Sequence, residues 1–428
     1  MRHNALAVLI AAPLAPWACC GQSLPPSAPS AVAQPAPSAR SGGPTNPKFV
    51  AKTISAGDHH TCAVKNDGTI RCWGGNEDGQ LGNVTTINSL VPVTVLGIIH
   101  GVTVAAGYGH SCALLSGGTV QCWGQNTWGG LGNGTTGTCM NSPYTLDVSC
   151  SAKPVTALGI TNAVTVAASF GYSCAVLVGG TVQCWGRNED GDLGDGSATN
   201  RSVPVAVSGI TNAIDVAAGH EHTCAILSGG AVQCWGKNQS GQLGDGTTTN
   251  RTVPVTVSGI TNAVAVAAGG QHTCAVLRGG SVQCWGYGQQ GQLGSGATHF
   301  AGPSYGSLTP VPVSGITNAF AVAAGQMFSC ALLNGGTVQC WGSNGSGQLG
   351  QLGPTTSSSV PVTVSSVTNA IAVAAGDQHT CAVLSGGTVQ CWGSNVYTPN
   401  YVPIGTGQLG NGSTTNSSVP VTVTGFVL

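Results

Sequence analysis

Cysteine is the residue type whose spacing in this sequence carries the clearest chemistry. Fourteen of the 18 cysteines form seven pairs whose members are ten positions apart. The pairs are Cys62 with Cys72, Cys112 with Cys122, Cys174 with Cys184, Cys224 with Cys234, Cys274 with Cys284, Cys330 with Cys340, and Cys381 with Cys391. An even set of regularly spaced cysteines is typical of disulfide-bonded proteins in oxidising compartments. We therefore predict seven disulfides and a location outside the cytoplasm, either secreted or in the cell envelope.

The other four cysteines lie outside this pattern. Cys139 and Cys150 occur in an insertion, and we expect them to bond to each other and close that loop. Cys19 and Cys20 lie near the N-terminus, where residues 1–21 have the short polar start and short apolar run of an export signal. Two alternatives remain open for this segment: lipid attachment at Cys19, as in a bacterial lipoprotein, or simple cleavage. Residues 22–48, rich in Pro, Ala and Ser, predict a flexible tether.

Histidine recurs two positions before the first cysteine of a pair. It is found at His60, His110, His222, His272 and His379. One histidine and two cysteines would supply three zinc ligands. Repeats three and six, however, have Tyr172 and Phe328 at this position, so a ligand there is not common to all repeats. We favour a buried histidine that bonds to backbone at a turn, and we predict no metal and no cofactor.

Composition and motifs favour a protein that is not an enzyme. Charged residues make up 6% of the chain and the net charge is −1, so no basic surface for nucleic acid is expected. No paired carboxylates recur, no Ser-His-Asp set can be argued from spacing, and the Gly-Gly pairs lack the lysine of a phosphate loop. We also expect no cluster of acidic or histidine side chains such as an enzyme would need. No apolar run predicts a permanent membrane span.

These residues are positioned by a repeat of about fifty residues, which the Cys-Trp-Gly triplets mark. The tryptophans are Trp73, Trp123, Trp185, Trp235, Trp285, Trp341 and Trp392. Each repeat reads as four short strands, of which the second and third alternate and are joined by a glycine-containing turn. One such unit cannot bury its own apolar face, so the repeats must pack on each other. Residues 49–428 are therefore predicted to form a single all-β domain.

The predicted hairpin explains the cysteine spacing. If the turn of the fifth repeat is centred on Gly279, Cys274 lies directly opposite Cys284 on the neighbouring antiparallel strand. Opposed residues of a non-hydrogen-bonded pair are close enough to form a disulfide. Each repeat would then contain its own bridge.

Two motifs link the chain to a known family. Val-Ala-Ala-Gly-x-x-His-Thr at residues 266–273 and Trp285-Gly286 followed by Gly-Gln-Leu-Gly at residues 291–294 recur in order along the repeats. In these motifs the chain resembles the regulator of chromosome condensation repeat family. The resemblance implies a seven-bladed β-propeller of four-stranded antiparallel blades. The cysteines depart from the family pattern and suggest an exported, bacterial, disulfide-rich branch. Founding members exchange guanine nucleotide on a small nuclear GTPase, so similar activity is one alternative function.

Comparison among the repeats indicates where a partner would bind. The two residues before the repeated histidine vary, as do the residues after Trp-Gly, and several are large aromatics. The candidates are Tyr108, Trp128, Phe170, Tyr172 and Tyr287. Exposed aromatics and loops on a rigid scaffold are common binding elements, although the same rings could simply pack on neighbouring loops.

Insertions at residues 137–153, 299–309 and 396–406 add further loops. We predict a monomeric, protein-binding propeller acting as an inhibitor or scaffold, with carbohydrate binding as a further alternative.

Overall fold

The structure, a computed structural model, describes residues 53–137, 150–297, 305–353, 356–397 and 404–428. All regular elements in these ranges are β-strands. The described residues contain no helix long and apolar enough to cross a bilayer. The predicted export signal, tether and Cys19 lie outside the described residues, as does Cys139. Cys150 is described and is disulfide-bonded.

The strands form seven four-stranded antiparallel sheets, which are the blades of a propeller. Blade one contains β1 (Ile54–Ala56), β2 (His60–Val64), β3 (Ile70–Gly74) and β4 (Ser89–Thr94). Blade two contains β5 (Gly101–Ala106), β6 (His110–Leu115), β7 (Val120–Gln125) and β8 (Cys150–Thr156). Blade three contains β9 (Ala163–Ala168), β10 (Tyr172–Leu177), β11 (Val182–Gly186) and β12 (Arg201–Ala206). Blade four contains β13 (Ala213–Ala218), β14 (His222–Leu227), β15 (Val232–Gly236) and β16 (Arg251–Thr256).

The last three blades follow the same order. Blade five contains β17 (Ala263–Ala268), β18 (His272–Leu277), β19 (Val282–Tyr287) and β20 (Gly306–Pro312). Blade six contains β21 (Ala319–Ala324), β22 (Phe328–Leu333), β23 (Val338–Ser343) and β24 (Ser357–Thr363). Blade seven contains β25 (Ala370–Ala375), β26 (His379–Leu384), β27 (Thr388–Gly393) and β30 (Ser417–Val427). A small hairpin of β28 (Val396–Tyr397) and β29 (Ile404–Gly405) precedes β30.

The predicted register of the hairpin is confirmed in all seven blades. Cys274 of β18 lies opposite Cys284 of β19, and Gly279 and Gly280 in the turn have φ angles of 105° and 89°. Glycine adopts this left-handed region without the steric cost that a side chain would add. The same opposition of cysteines recurs in the second and third strands of every other blade.

All seven predicted disulfides within the blades form. In chain order, Cys62 bonds to Cys72, Cys112 to Cys122, Cys174 to Cys184, Cys224 to Cys234, Cys274 to Cys284, Cys330 to Cys340, and Cys381 to Cys391. They join Cα atoms only 4.0–4.1 Å apart. Each blade therefore holds one internal bridge, as the spacing predicts.

The core lies between the blades. Each buried apolar cluster takes residues from two neighbouring blades, and one example unites Cys224, Ile226 and Leu243 of blade four with Ala275 and Trp285 of blade five. The second strand of a blade is accordingly buried along nearly its whole length instead of alternating as predicted, because neighbouring blades cover both of its faces. This arrangement is why a single repeat cannot fold alone.

The ring closes by packing of the first blade on the last. All four strands of blade one come from the N-terminal repeat, so no strand of the C-terminal repeat completes it. Trp73 and Leu409 share one apolar cluster across this junction, and Asp377 N donates to Gly57 O at 3.3 Å. The first and last repeats thus meet through the same kind of contact that joins every other pair of blades.

Candidate functional site

A polar contact repeats where two blades meet, and we call it the seam. The Nε2 atom of each repeated histidine lies 2.8–2.9 Å from a Ser or Thr hydroxyl of the next blade. That hydroxyl donates to a backbone carbonyl that also accepts the indole N–H of a tryptophan. At one seam, His222 meets Thr273, and Thr273 and Trp285 both donate to Gln242 O at 2.9 Å.

The seam defines the protonation of the histidines. The Thr273 hydroxyl donates its only proton to Gln242 O, so it must accept the hydrogen bond that it shares with His222. His222 therefore carries its proton on Nε2. Burial lowers the pKa of His222 and His272 to about 3 and that of His110 to about 4.

The interpretation that these histidines bond to backbone is wrong: they are buried, but their partner is a side chain of the next blade. The paired cysteines are bonded to each other, so they offer no thiolate to a metal.

Tyr172 takes the histidine position in blade three and is part of the same framework. Its side chain is 0% exposed, and its hydroxyl donates toward Gly219 O and His222 O at 2.8 and 2.7 Å. The prediction that Tyr172 contributes to a binding surface is therefore wrong. Its bulk and polarity serve the contact between blades three and four.

The residue two positions before the repeated histidine occupies the opening of the central channel, and we call these seven positions the mouth ring. They are Asp58, Tyr108, Phe170, His220, Gly270, Gln326 and Asp377. The first strand of each blade ends two residues before the mouth-ring position. The turns that follow these strands line an axial cavity of about 60 Å³. Backbone bonds such as Asp58 N to Gly107 O (3.3 Å) and His220 N to Gly269 O (3.2 Å) join ring residues to the next blade. The ring is therefore rigidly placed.

Three of the predicted aromatics come together on one side of the mouth. Tyr108 and Phe170 meet edge to face with ring centroids 4.9 Å apart, and Trp128 lies 5.8 Å from Phe170. His59 extends the group, with its ring 6.3 Å from Tyr108 and 4.0 Å from Tyr397. We call these five residues the aromatic band. All are partly exposed, and the band continues across blades one, two, three and seven.

A charged group supports the band from below. The Arg187 guanidinium lies 5.5 Å from the centre of the Phe170 ring, at a distance suited to a cation–π contact. Arg187 is itself buried and ion-paired with Glu189 at 3.0 Å, with Glu221 at 3.3 Å and with the fully buried Asp192 at 3.5 Å. This network positions the guanidinium beside the Phe170 ring, which remains partly exposed.

Tyr287 lies apart from the band. It lines a depression of about 150 Å³ together with Phe170, His220 and Met327. Its hydroxyl bonds to the Gln289 side chain. Tyr287 therefore shares this depression with Phe170 of the band.

A cluster of two carboxylates and a histidine lies at the mouth. His220 Nε2 is 3.9 Å from Asp58 Oδ1 and 4.0 Å from Asp377 Oδ1. Burial raises the pKa of Asp377 to about 7, and burial together with Asp377 raises the pKa of Asp58. The expectation that no such cluster forms is wrong. Sequence reasoning recorded all three residues as variable positions but did not recognise that blades one, four and seven aim them at one point.

Sequence comparisons connect the chain to one family along most of its length. The sequence model of the RCC1-like domain matches residues 21–314, which is more than half of the chain. A model of the regulator of chromosome condensation repeat matches residues 335–383, and a second model of this repeat matches residues 321–348 and 370–398.

Comparison with solved structures supports the same propeller fold. Prp20p from Saccharomyces cerevisiae, a protein whose binding to Gsp1p and histones has been described, superposes with a TM-score of 0.70 at 20% identity, covering 88% of each chain. Human WBSCR16 superposes with a TM-score of 0.67 at 25% identity, covering 77% of this chain and 85% of WBSCR16. At 20% identity, the likeness to Prp20p shows the fold alone.

Proposed function

The chain belongs to the family of RCC1-like domains, and from this we propose that it is a non-enzymatic propeller that binds a protein outside the cytoplasm. The observation that carries the proposal is the aromatic band. Five partly exposed rings in mutual contact form an apolar surface on a rigid support, whereas isolated apolar side chains are normal on any protein surface.

The position of the band favours a protein partner. Aromatic anchors surrounded by polar positions are typical of binding hot spots. The insertion at residues 137–153 follows the turn that carries Trp128, and the insertion at residues 396–406 includes Tyr397, so both can extend the surface. Prp20p, which shares the fold, binds Gsp1p and histones. An inhibitor or a scaffold would use such a surface without any chemistry of its own.

The disulfides support the proposed compartment. Seven intrachain bridges fit an extracytoplasmic protein, because reducing conditions in the cytosol would not keep such pairs bonded. Together with the export signal predicted at residues 1–21, this supports secretion or attachment to the cell surface. Lipid attachment at Cys19 remains the proposal for the attached form.

Affinity capture tests the proposed surface. The mature protein would be used to capture binding partners from envelope and culture extracts, and any partner would then be titrated to saturation. We expect one saturable protein partner whose affinity falls at least about tenfold in the Tyr108→Ala, Trp128→Ala double variant, because hot-spot aromatics contribute about 2 kcal/mol or more each. The same double variant should retain its seven disulfides.

A matched control comes from the opposite face. Ile99 and Val178 are exposed apolar residues in turns at the strand ends that lie away from the mouth. The Ile99→Ala, Val178→Ala variant should bind the partner as the parent does. If this control loses binding and the band variant does not, the interface lies on the other face. Acceleration of nucleotide release from a small GTPase, or capture of a polysaccharide instead of a protein, would replace the proposal with one of the alternatives.

A further inference from the structure

We propose that Asp58, His220 and Asp377 bind one divalent transition-metal ion at the channel mouth, and that Zn²⁺ is the ion their ligand set suits best. This site goes beyond the proposed function and does not depend on partner binding. Each of the three side chains offers one ligand atom, and these atoms lie within 4.8 Å of one another.

The three ligands come from opposite sides of the ring. Asp58 and Asp377 belong to neighbouring blades one and seven, and His220 reaches toward them from blade four. Zinc–nitrogen and zinc–oxygen bonds are about 2.0–2.2 Å long, which places the ligands of a tetrahedral site about 3.4 Å apart. The separations of His220 Nε2 from Asp58 Oδ1 and from Asp377 Oδ1, 3.9 and 4.0 Å, exceed this value by about half an ångström, and all three ligand atoms lie within 4.8 Å of one another.

Burial of negative charge is the second observation that points to a cation. Asp58 and Asp377 are each more than nine-tenths buried, and Asp377 Oδ1 has no hydrogen-bond partner among the described residues. In the part of the chain that the structure describes, His220 is the one basic side chain within 4.0 Å of either carboxylate. An uncompensated buried carboxylate is costly. A cation at this point would compensate the carboxylates of Asp58 and Asp377 and would bind Asp377 Oδ1.

The donor set selects the class of ion. One imidazole and two carboxylates are a set that zinc accepts, whereas calcium requires six to eight oxygens and magnesium keeps mostly water and oxygen ligands. Three protein ligands leave a fourth position open. The axial cavity of about 60 Å³ is lined by all three ligand residues, so it would give this fourth position space for a water molecule. The open coordination site would be available to water or to a group of a bound partner.

The backbone around the site is already held in place. Asp58 N and His220 N donate to carbonyls of their neighbouring blades at 3.3 and 3.2 Å, and Asp377 N closes the ring with a bond of 3.3 Å to Gly57 O. Ligands on rigid elements lose little freedom when the ion binds.

Calorimetric titration of the intact, chelator-treated protein with ZnCl₂, and separately with MnCl₂ and CaCl₂, tests the site. We expect one zinc ion per chain, weaker manganese binding and no comparable calcium binding. Asp377→Asn, Asp58→Asn and His220→Gln should each weaken zinc binding by more than about tenfold, since even outer-shell changes have effects of this size. Glutamine already occupies the ring position in blade six as Gln326. The control variant His100→Gln, at an exposed position outside the mouth, should bind zinc as the parent does.

Stability separates a metal ligand from a structural residue. In chelator, Asp377→Asn should unfold at the same or a higher denaturant concentration than the parent, because the variant no longer buries an ionisable carboxyl group whose Oδ1 has no hydrogen-bond partner in the described part of the chain. Zinc should raise the unfolding midpoint of the parent but not that of Asp377→Asn. The proposal is overturned if the parent binds no zinc at millimolar concentration, if His100→Gln alone abolishes binding, or if all three mouth variants bind as the parent does.

Discussion

His220 and His222 lie two residues apart at the start of one hairpin, yet they belong to two different regions of the molecule. His222 is fully buried at the seam, where the Thr273 hydroxyl accepts a hydrogen bond from its Nε2 atom at 2.9 Å. His220 is at the mouth, partly exposed, and faces the carboxylates of Asp58 and Asp377 at 3.9 and 4.0 Å. The seam histidine has a neutral, satisfied partner, whereas the mouth histidine faces negative charge and an open cavity.

The two regions differ in the same way throughout the chain. Seam positions keep the tryptophan, the cysteines and a Ser or Thr in all seven blades, and a histidine in five of them. Mouth-ring positions change from acid to aromatic to glycine from one blade to the next. A position that performs one structural task seven times is held constant within the chain, while a position free of that task can diverge. Stability should therefore depend on the seam and binding on the mouth.

The largest expected difference is between two tryptophans. Trp285→Ala removes a fully buried ring and its bond to Gln242 O, so the free energy of unfolding should fall by about 3–5 kcal/mol. Trp128→Ala removes a half-buried ring that packs on Phe170 at the mouth, and should cost about 1–2 kcal/mol. Urea unfolding followed by circular dichroism measures both. Equal losses would mean that the mouth is part of the core.

Loss of one bridge should have the next largest effect. The Cys274→Ala, Cys284→Ala variant frees an 11-residue loop and should lower the free energy of unfolding by roughly 2–3 kcal/mol. Cys139→Ala with Cys150→Ala changes the insertion and the first residue of β8, at the end of the outer strand of blade two, and should leave the propeller's unfolding midpoint closer to that of the parent. The control is unfolding of both variants beside the parent without reductant. A larger loss in the insertion variant would show that the loop supports the blades.

The pH dependence of stability can be moved between blades by exchanging one residue. Burial lowers the folded-state pKa of His110 to about 4, below an unfolded value near 6.5. The unfolded chain thus takes up this proton first, so the stabilisation present above pH 6.5 is lost as pH falls toward 4. Between pH 7 and pH 5, His110 should account for about 2 kcal/mol of that loss. His110→Phe, which copies blade six, should abolish this share while Ser173 keeps its bond to Gly130 O.

The reciprocal variant sharpens this test. Phe328→His restores the common residue in blade six, opposite Thr380, whose hydroxyl donates to Gln348 O at 3.0 Å. It should steepen the loss of stability between pH 7 and pH 5 by a similar amount. Unfolding midpoints at both pH values measure the two variants beside the parent. Identical pH dependence in all three proteins would contradict neutral, buried histidines at the seam.

Sequence alone predicted the framework well because its physical causes are local and repeated. The ten-residue spacing of Cys274 and Cys284 defines a hairpin register, and the glycines at 279 and 280 define its turn. Leu243 and Trp285 signal burial by their bulk in a polar stretch. The hydroxyl partner of the histidines was missed because it lies about fifty residues away on the next blade, a contact that no local pattern encodes.

The mouth was predicted less well because it depends on closure of the ring. Aromatic type alone identified Tyr108, Trp128 and Phe170, which do meet, but it also selected Tyr172, whose position in the repeat is buried. Asp58 and Asp377 are 319 positions apart in the chain and become neighbours only when blade seven packs on blade one. Aligning the repeats by the histidine and asking which variable column faces the axis would have found this cluster.

The smallest expected effects are those of exposed mouth residues. Met327 is 38% exposed beside Phe328 of the seam, and Gln271 is exposed one residue before His272. Met327→Ala and Gln271→Ala should each change the free energy of unfolding by no more than about 0.5 kcal/mol, as is usual for surface sites. Both residues adjoin seam residues in the chain, so they test how sharply the two regions are divided. A loss above about 1 kcal/mol from either would place the boundary closer to the axis, because the residue just before the histidine position and the seam would then share one packed unit.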